Sequence, residues 1–101
     1  MALIPNTLPT RHGEFKVPGG KLVVVDLSVE NGHLINVRIS GDFFLEPPEA
    51  LDAINASLEG MPSTASIEDI TVAVARALPP DAEMFGFSPH AVAITVERAI
   101  A

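Results

Sequence analysis

The sequence predicts an α+β fold of two layers, in which an antiparallel sheet of two to three strands carries three helices packed on one face. Apolar and polar residues alternate over residues 21–40, a pattern typical of half-buried strands. Over residues 48–101 apolar residues instead recur at helical spacing, between residues that favour helix ends. Because the strands precede the helices along the chain, we expect the helices to share one face of the sheet.

The composition indicates one compact domain. The chain has 101 residues, of which 48% are apolar and 19% are charged. We predict an N-terminal arm over residues 1–12, where prolines interrupt the chain and no periodicity is present, followed by the domain over residues 13–101. The sequence shows neither a secretory signal nor an apolar stretch long enough for a membrane span. We therefore expect a cytoplasmic protein without a membrane partner.

The charge and the cysteine count exclude several classes of function. The formal net charge is -7, and the six basic residues are scattered, so a phosphate backbone would be repelled and nucleic acid is not an expected partner. An acidic surface suits a basic protein partner, although acidity is also a common way to stay soluble. Having no cysteine, the chain forms no disulfide, thiolate metal site or thiol nucleophile.

The strands are predicted from alternation and turn residues. Phe15 and Val17 alternate with polar neighbours and precede a proline-glycine turn, which indicates an edge strand. A hairpin of two longer strands then follows, with its loop near Gly32. A two-residue turn would put the apolar residues of the two strands on opposite faces, so we predict a three-residue loop that pairs Leu27 with Ile35.

The three helices are predicted from their ends. The first begins near Pro48 and is followed by Gly60. The second starts with a capping box formed by Ser66 and Asp69, and two adjacent prolines end it. The third opens with Ser88 and a following proline and runs to the C-terminus.

No set of residues has the spacing of a catalytic or metal site. A nucleophile needs an adjacent base, and a zinc site needs three or four converging ligands. His12, His33 and His90 lie on the predicted arm, a turn and a helix start, and no two of them share an element at ligand spacing. We expect no catalytic residue, no metal site, no cofactor bound by this chain alone and no activity of the chain alone.

Two short segments stand out as candidate binding sites. The turn Pro18-Gly19-Gly20-Lys21 would let the backbone approach a phosphate, but it lacks the longer glycine pattern of a phosphate-binding loop, so a plain hairpin turn is favoured. Phe43 and Phe44 are adjacent and follow Asp42. If the alternation continues, Phe43 faces the core and Phe44 points outward, where it needs a cover. A bulge that turns both rings inward is an equal alternative.

Several of these segments together resemble the C-terminal accessory domain of lipoate-protein ligases, which also occurs as the stand-alone small subunit of a bipartite ligase. The resemblance covers residues 13–60 closely and the remaining helices loosely. It depends on FKVPGGKL at 15–22, ENGH at 30–33, GDFF at 41–44 and a helix that ends at LEG, 58–60. The combination of PGGKL with GDFF is more specific than either motif alone. The fold of that domain is similar to that of sulfur-transfer and iron-sulfur scaffold proteins (SufE/NifU-like), which act through thiolates that this chain lacks.

The resemblance implies a non-catalytic accessory subunit that docks on a separate lipoate-protein ligase catalytic subunit and supports lipoyl-adenylate formation in protein lipoylation. Lipoate and ATP, with Mg, would be bound at the partner's site. It also implies that Gly19, Gly20 and Lys21 are ligand-proximal. The partner interface would include three residues: Asp42, Phe43 and Phe44. The alternative is a free-standing binding or regulatory module of the same fold, able to form a homodimer, without a role in a ligase.

Overall fold

A computed structural model of the protein describes residues 8–101 and confirms the predicted α+β class. Its elements are β1 (Arg11–Lys16), β2 (Leu22–Glu30), β3 (His33–Gly41), β4 (Phe44–Glu46), α1 (Ala50–Leu58), α2 (Ile67–Ala77), β5 (Glu83–Phe85) and α3 (Pro89–Ile100). Strands β1, β2 and β3 form an antiparallel sheet in that order, and β4 and β5 form a separate two-stranded ribbon. Of the predicted arm, residues 1–7 lie outside the described part of the chain, and Arg11 and His12 belong to β1.

The core lies between the sheet and the helices. Helix α1 packs on β3, α3 packs on β1 and β2, and α2 packs against α1 and α3. The fully buried apolar side chains come from every layer and include Val23, Val25, Leu27, Ile39, Ile54, Leu58, Ile70, Val74, Val92 and Val96. Burying each of them contributes about 1.5 to 3 kcal/mol of stabilisation, so the amphipathic pattern of the sequence is what holds the two layers together.

The predicted three-residue loop of the central hairpin is wrong. Glu30 pairs with His33, which leaves a two-residue turn of Asn31 and Gly32. Both have positive φ, 53° and 78°, as a type I′ turn requires. Ile35 consequently pairs with Ser28, not with Leu27 as predicted.

A β-bulge in the middle of β3 restores the apolar face that the short turn alone would have lost. Leu27 lies opposite two residues of β3, Asn36 and Val37, and Asn36 has a φ of 54°. The extra residue turns Val37 and Ile39 towards the helices, where both are buried. The register is therefore corrected within the strand and not in the loop.

The side chain of Glu59 holds this bulge in place. Its Oε1 accepts a hydrogen bond from the N–H of Asn36 at 3.1 Å, and its Oε2 accepts one from the N–H of Val37 at 2.5 Å. Asn55 Oδ1 accepts a further bond from the N–H of Ile39 at 2.9 Å. The outer edge of β3 is thus covered by side chains at the end of α1, which prevents a further strand from pairing there.

The helix ends follow the predicted capping residues. Ser66 Oγ accepts a hydrogen bond from the N–H of Asp69, and the Asp69 carboxylate accepts one from the N–H of Ser66, which completes the capping box of α2. At the start of α3, Ser88 Oγ accepts a hydrogen bond from the N–H of Ala91, and Pro89 lies in the first turn. Helix α1 begins at Ala50, two residues beyond the predicted first position, since the segment before it forms a tighter turn.

Helix α3 lies directly against the edge strand β1. A Cβ atom added at Gly13 would be 2.5 Å from the carbonyl oxygen of Thr95 and 2.7 Å from the nitrogen of Ala99. The guanidinium of Arg98 lies 4.9 Å from the ring centroid of Phe15. The glycine therefore permits the close approach of α3, and the arginine covers the aromatic residue at that edge.

Candidate functional site

The ribbon of β4 and β5 brings together two segments that are far apart in the sequence. Three pairs of residues face each other across it: Phe44 and Phe85, Leu45 and Met84, and Glu46 and Glu83. Side chains alternate between the faces of a ribbon. Leu45 is buried and Met84 packs against the core, so the aromatic and the acidic pairs share the outer face.

Phe44 and Phe85 form an exposed aromatic pair. Phe44 is 68% exposed and Phe85 is 48% exposed, and the remaining exposed large apolar residue of residues 8–101 is Val72 on α2. Directly opposed side chains on an antiparallel ribbon have Cβ atoms about 4.5 to 5.5 Å apart, so the two side chains are neighbours and together make an apolar patch. Exposed patches of this kind are typical of interaction sites.

Phe43 and Phe44 point to different sides of the chain, as the alternation predicted. Phe43 stacks on Phe87, with 3.8 Å between the ring centroids and an angle of 22° between the rings. Phe87 is 7% exposed and belongs to the core. The alternative in which both rings turn inward is wrong, because Phe44 is open to solvent.

Asp42 fixes the joint between β3 and β4. Its Oδ1 accepts a hydrogen bond from the N–H of Leu22 at 2.7 Å, and its own N–H donates to the carbonyl oxygen of Leu22 at 3.3 Å. A Cβ atom added at the preceding Gly41 would lie 2.2 Å from the same carbonyl oxygen. The carboxylate of Asp42 therefore serves the fold, and it sets the position from which Phe44 projects.

The glycine-rich segment is a hairpin turn between β1 and β2. The N–H of Gly20 donates to the carbonyl oxygen of Val17 at 2.8 Å, and Gly19 has a φ of 72°, as expected where glycine follows proline in a type II turn. The ammonium of Lys16 donates to the carbonyl oxygen of Gly20 at 2.7 Å. Lys16 thus stabilises this turn, while the side chain of Lys21 is exposed.

This turn is attached to the end of the ribbon. The N–H of Lys21 donates to the carbonyl oxygen of Gly86 at 2.9 Å. A Cβ atom at Gly20 would lie 2.7 Å from that oxygen, and one at Gly86 would lie 2.3 Å from Lys21 Cγ. Because Gly86 directly follows Phe85, the structure brings the predicted glycine-lysine turn and the predicted aromatic segment to one corner of the molecule.

A groove of about 390 Å³ runs beside Phe44, between the end of β3 and the start of α1. Its wall includes Phe43, Phe44, Glu46 and Leu51. The groove therefore adjoins the apolar patch at Phe44, and it offers room for a side chain of a bound molecule.

Sequence reasoning missed Phe85 and Glu83. A strand of three residues is too short to show a periodic pattern, and its partner β4 lies on the other side of two helices in the chain. The available signal was the segment Phe85-Gly86-Phe87, in which two of the five phenylalanines flank a glycine.

A separate polar cluster lies on β1 and β2. His12 Nδ1 is 2.7 Å from Asp26 Oδ1, and His12 Nε2 is 2.7 Å from Glu14 Oε2. The hydrogen bonds to Glu14 and to Asp26 raise the pKa of His12 above its ordinary value. Both ring nitrogens are thereby occupied by carboxylates.

Two further properties concern residues 8–101. Within them, no group of three or more histidine, aspartate or glutamate side chains is arranged to hold a metal ion. No helix of this part of the chain has the length and apolar character needed to cross a membrane.

The likeness to known proteins is one of structure. No known family model matches the sequence, and no curated protein matches it. The chain is similar to a chain in a solved structure of an archaeal lipoylation system, a bi-partite lipoate protein ligase and its E2 lipoyl domain from Thermoplasma acidophilum. The TM-score is 0.65 at 20% identity, over 89% of this chain and 94% of that chain. The two chains thus share a fold over nearly their full lengths.

Proposed function

We propose that this chain is a non-catalytic accessory subunit that docks on a separate lipoate-protein ligase catalytic subunit and supports the formation of lipoyl-adenylate. The observation that carries the proposal is the likeness in fold, over nearly the whole of both chains, to a chain of a bipartite lipoylation system. The combination of PGGKL and GDFF in the sequence supports the same assignment independently. A ligase divided between two polypeptides requires an interface, and the exposed ribbon supplies a candidate for it.

The polar groups of the chain support an accessory role. A serine nucleophile needs a base within about 2.6 to 3.2 Å, whereas the hydroxyls of Ser66 and Ser88 accept hydrogen bonds from helix backbone groups. Asp42 and Lys16 bind backbone groups that shape the two turns. We assign the chemistry, together with lipoate, ATP and Mg, to the catalytic subunit.

Docking would be led by Phe44, with Asp42 and Phe43 as its supports. The hydrogen bonds of Asp42 and the stacking of Phe43 on Phe87 fix the two residues that precede Phe44. Phe44 therefore projects from an ordered joint. An interface that is already ordered loses less conformational entropy on binding.

The glycine-lysine turn would lie near the ligand of the partner. Its attachment to Gly86 brings Lys21 to the corner of the molecule that also carries the ribbon. The exposed ammonium of Lys21 suits a phosphate group of ATP or of the adenylate, and the tight turn allows close approach. Gly19, Gly20 and Lys21 are therefore proposed as ligand-proximal residues.

The physical contribution of such a subunit is closure of the partner's site. In adenylate formation the carboxylate of lipoate attacks the α-phosphate of ATP and pyrophosphate leaves. The resulting mixed anhydride is open to attack by water, so a docked subunit that excludes water and orders loops over the adenylate would promote its formation and protect it.

The experiment that tests this function is reconstitution. Lipoate-dependent exchange of pyrophosphate into ATP is measured with this chain alone, with the catalytic subunit alone and with their mixture. We expect exchange in the mixture only. Exchange by this chain alone, or equal exchange by the catalytic subunit with and without it, would overturn the proposal.

A further inference from the structure

The outer face of the β4–β5 ribbon carries four exposed side chains: Phe44, Phe85, Glu46 and Glu83. Residues two positions apart on a strand point to the same side, so the acidic pair directly adjoins the aromatic pair. We refer to these four residues as the ribbon face. The acidic pair and the aromatic pair each carry a free-energy cost for the isolated domain.

The first cost is electrostatic. Glu46 and Glu83 lie directly opposite each other, and like charges in that position destabilise a pair of strands. In the described part of the chain, the ion pairs are those of His12 with Glu14 and Asp26, so neither ribbon carboxylate is paired with a cation.

The second cost is hydrophobic. Phe44 and Phe85 leave most of one ring and about half of the other in water, next to the groove beside Phe44. Leu45 and Met84 already supply the inner face of the ribbon, so the two outer rings are not needed to attach it to the core. A partner that covered the rings would recover the free energy of their burial.

We propose that the ribbon face docks on a protein surface in which an apolar side chain or hollow is flanked by arginine or lysine. The apolar element covers Phe44 and Phe85 and reaches the adjoining groove, while the cations neutralise Glu46 and Glu83. The net charge of -7 would also attract the chain to a basic surface, which agrees with the need for cations beside Glu46 and Glu83. This inference rests on the proposed function and names the chemistry of the docking surface on the catalytic subunit.

A second copy of this chain fits the ribbon face poorly. In a two-fold symmetric contact the same residues meet from both sides. Two pairs of carboxylates would then surround one aromatic cluster, without a cation from either ribbon face, and each copy adds a net charge of -7. The charges therefore favour a basic partner over a homodimer.

The test compares ribbon variants with a matched control in binding to the purified catalytic subunit by calorimetry, at low and at high salt. In the ribbon variant, Glu46→Gln is combined with Glu83→Gln. In the control, Glu30→Gln is combined with Glu97→Gln, which changes the net charge equally at two exposed positions outside the ribbon. We expect the ribbon variant to bind about tenfold more weakly with a reduced salt dependence, and the control to change by less than about twofold.

A variant with Glu46→Lys and Glu83→Lys should lose binding more severely, while thermal unfolding shows that it remains folded. Equal binding by the ribbon variant and the control would overturn this inference and leave the proposed function intact. Failure of the unsubstituted chain to bind the catalytic subunit would overturn both. Dimers of the unsubstituted chain in light scattering that dissociate in the Phe44→Ala variant would assign the ribbon face to a second copy and overturn the inference.

Discussion

The ring of Phe43 lies against the ring of Phe87, with 3.8 Å between their centroids. This contact joins the segment that follows β3 to the segment that precedes α3. Strand β4 begins directly after Phe43, and β5 ends two residues before Phe87. The inner side of the ribbon is anchored by the buried side chain of Leu45. One aromatic contact in the interior thus fixes the position of an aromatic pair on the surface.

Replacing the two adjacent phenylalanines one at a time should affect the stability of the domain to very different extents. Phe43→Ala removes a stacked, half-buried ring and should lower the free energy of unfolding by about 2 to 4 kcal/mol. Phe44→Ala removes a ring that is mostly in water and should change that free energy by less than about 0.5 kcal/mol. Urea unfolding of both variants provides the comparison, and a Phe44→Ala protein as unstable as Phe43→Ala would mean that the outer ring belongs to the core.

The bulge of β3 should depend on Glu59. Glu59→Ala removes the acceptor of two backbone N–H groups and should cost about 2 to 3 kcal/mol, since hydrogen bonds to a charged group are stronger than neutral ones. Glu59→Gln retains one amide oxygen and should cost about half as much. Asn55→Ala, which removes a single acceptor, is the matched control. A loss below about 0.5 kcal/mol for Glu59→Ala would show that the bulge does not need the carboxylate.

The His12 cluster should make stability depend on pH. The pKa of His12 in the folded protein is raised above 6.5 by hydrogen bonds to Glu14 and Asp26, so the folded state favours the protonated ring. This contribution is fully present below about pH 6.5 and is lost as the pH rises through the folded-state pKa. The difference in melting temperature between the unsubstituted protein and His12→Gln should therefore shrink as the pH rises.

The control for the His12 prediction removes both acceptors. In a background of Glu14→Gln with Asp26→Asn, His12→Gln should have the same effect on the melting temperature at acid and at alkaline pH. A difference that grows with pH in the unsubstituted background would contradict the assignment.

Lys21 should matter for adenylation and not for docking. Lys21→Ala removes an exposed ammonium beside the turn, and loss of one charge-assisted contact corresponds to about a tenfold decrease in kcat/KM of the reconstituted ligase. Arg76→Ala, on an exposed position of α2, is the control for the loss of one positive charge. Calorimetry should show an unchanged Kd for the catalytic subunit with both variants. A Lys21→Ala rate equal to that of Arg76→Ala would remove Lys21 from the neighbourhood of the ligand.

The features that the sequence predicted well are local ones. Ser66 and Asp69 form a capping box because both partners lie within one turn of helix, so their spacing alone is informative. The outward direction of Phe44 likewise followed from alternation over a few residues. The α+β class followed from the order of strand and helix patterns.

The features that were missed depend on contacts between distant residues. The register of the hairpin is set by a bulge at Asn36, whose acceptor Glu59 lies at the end of α1, and the strand has no glycine at the bulge to mark it. Phe85 became part of the candidate site by pairing with Phe44, which is 41 positions earlier in the chain. A single sequence shows which residues are present, but it does not show which distant residues contact one another in the fold.

The most direct test of the account is a titration of the catalytic subunit with this chain, with lipoate-dependent pyrophosphate exchange as the readout. We expect saturable activation by the unsubstituted chain. A variant with Phe44→Ala and Phe85→Ala should require at least about tenfold higher concentration to reach the same maximum, because docking is weakened while the rest of the domain is unchanged. Activity of the catalytic subunit that is independent of added chain would contradict the account.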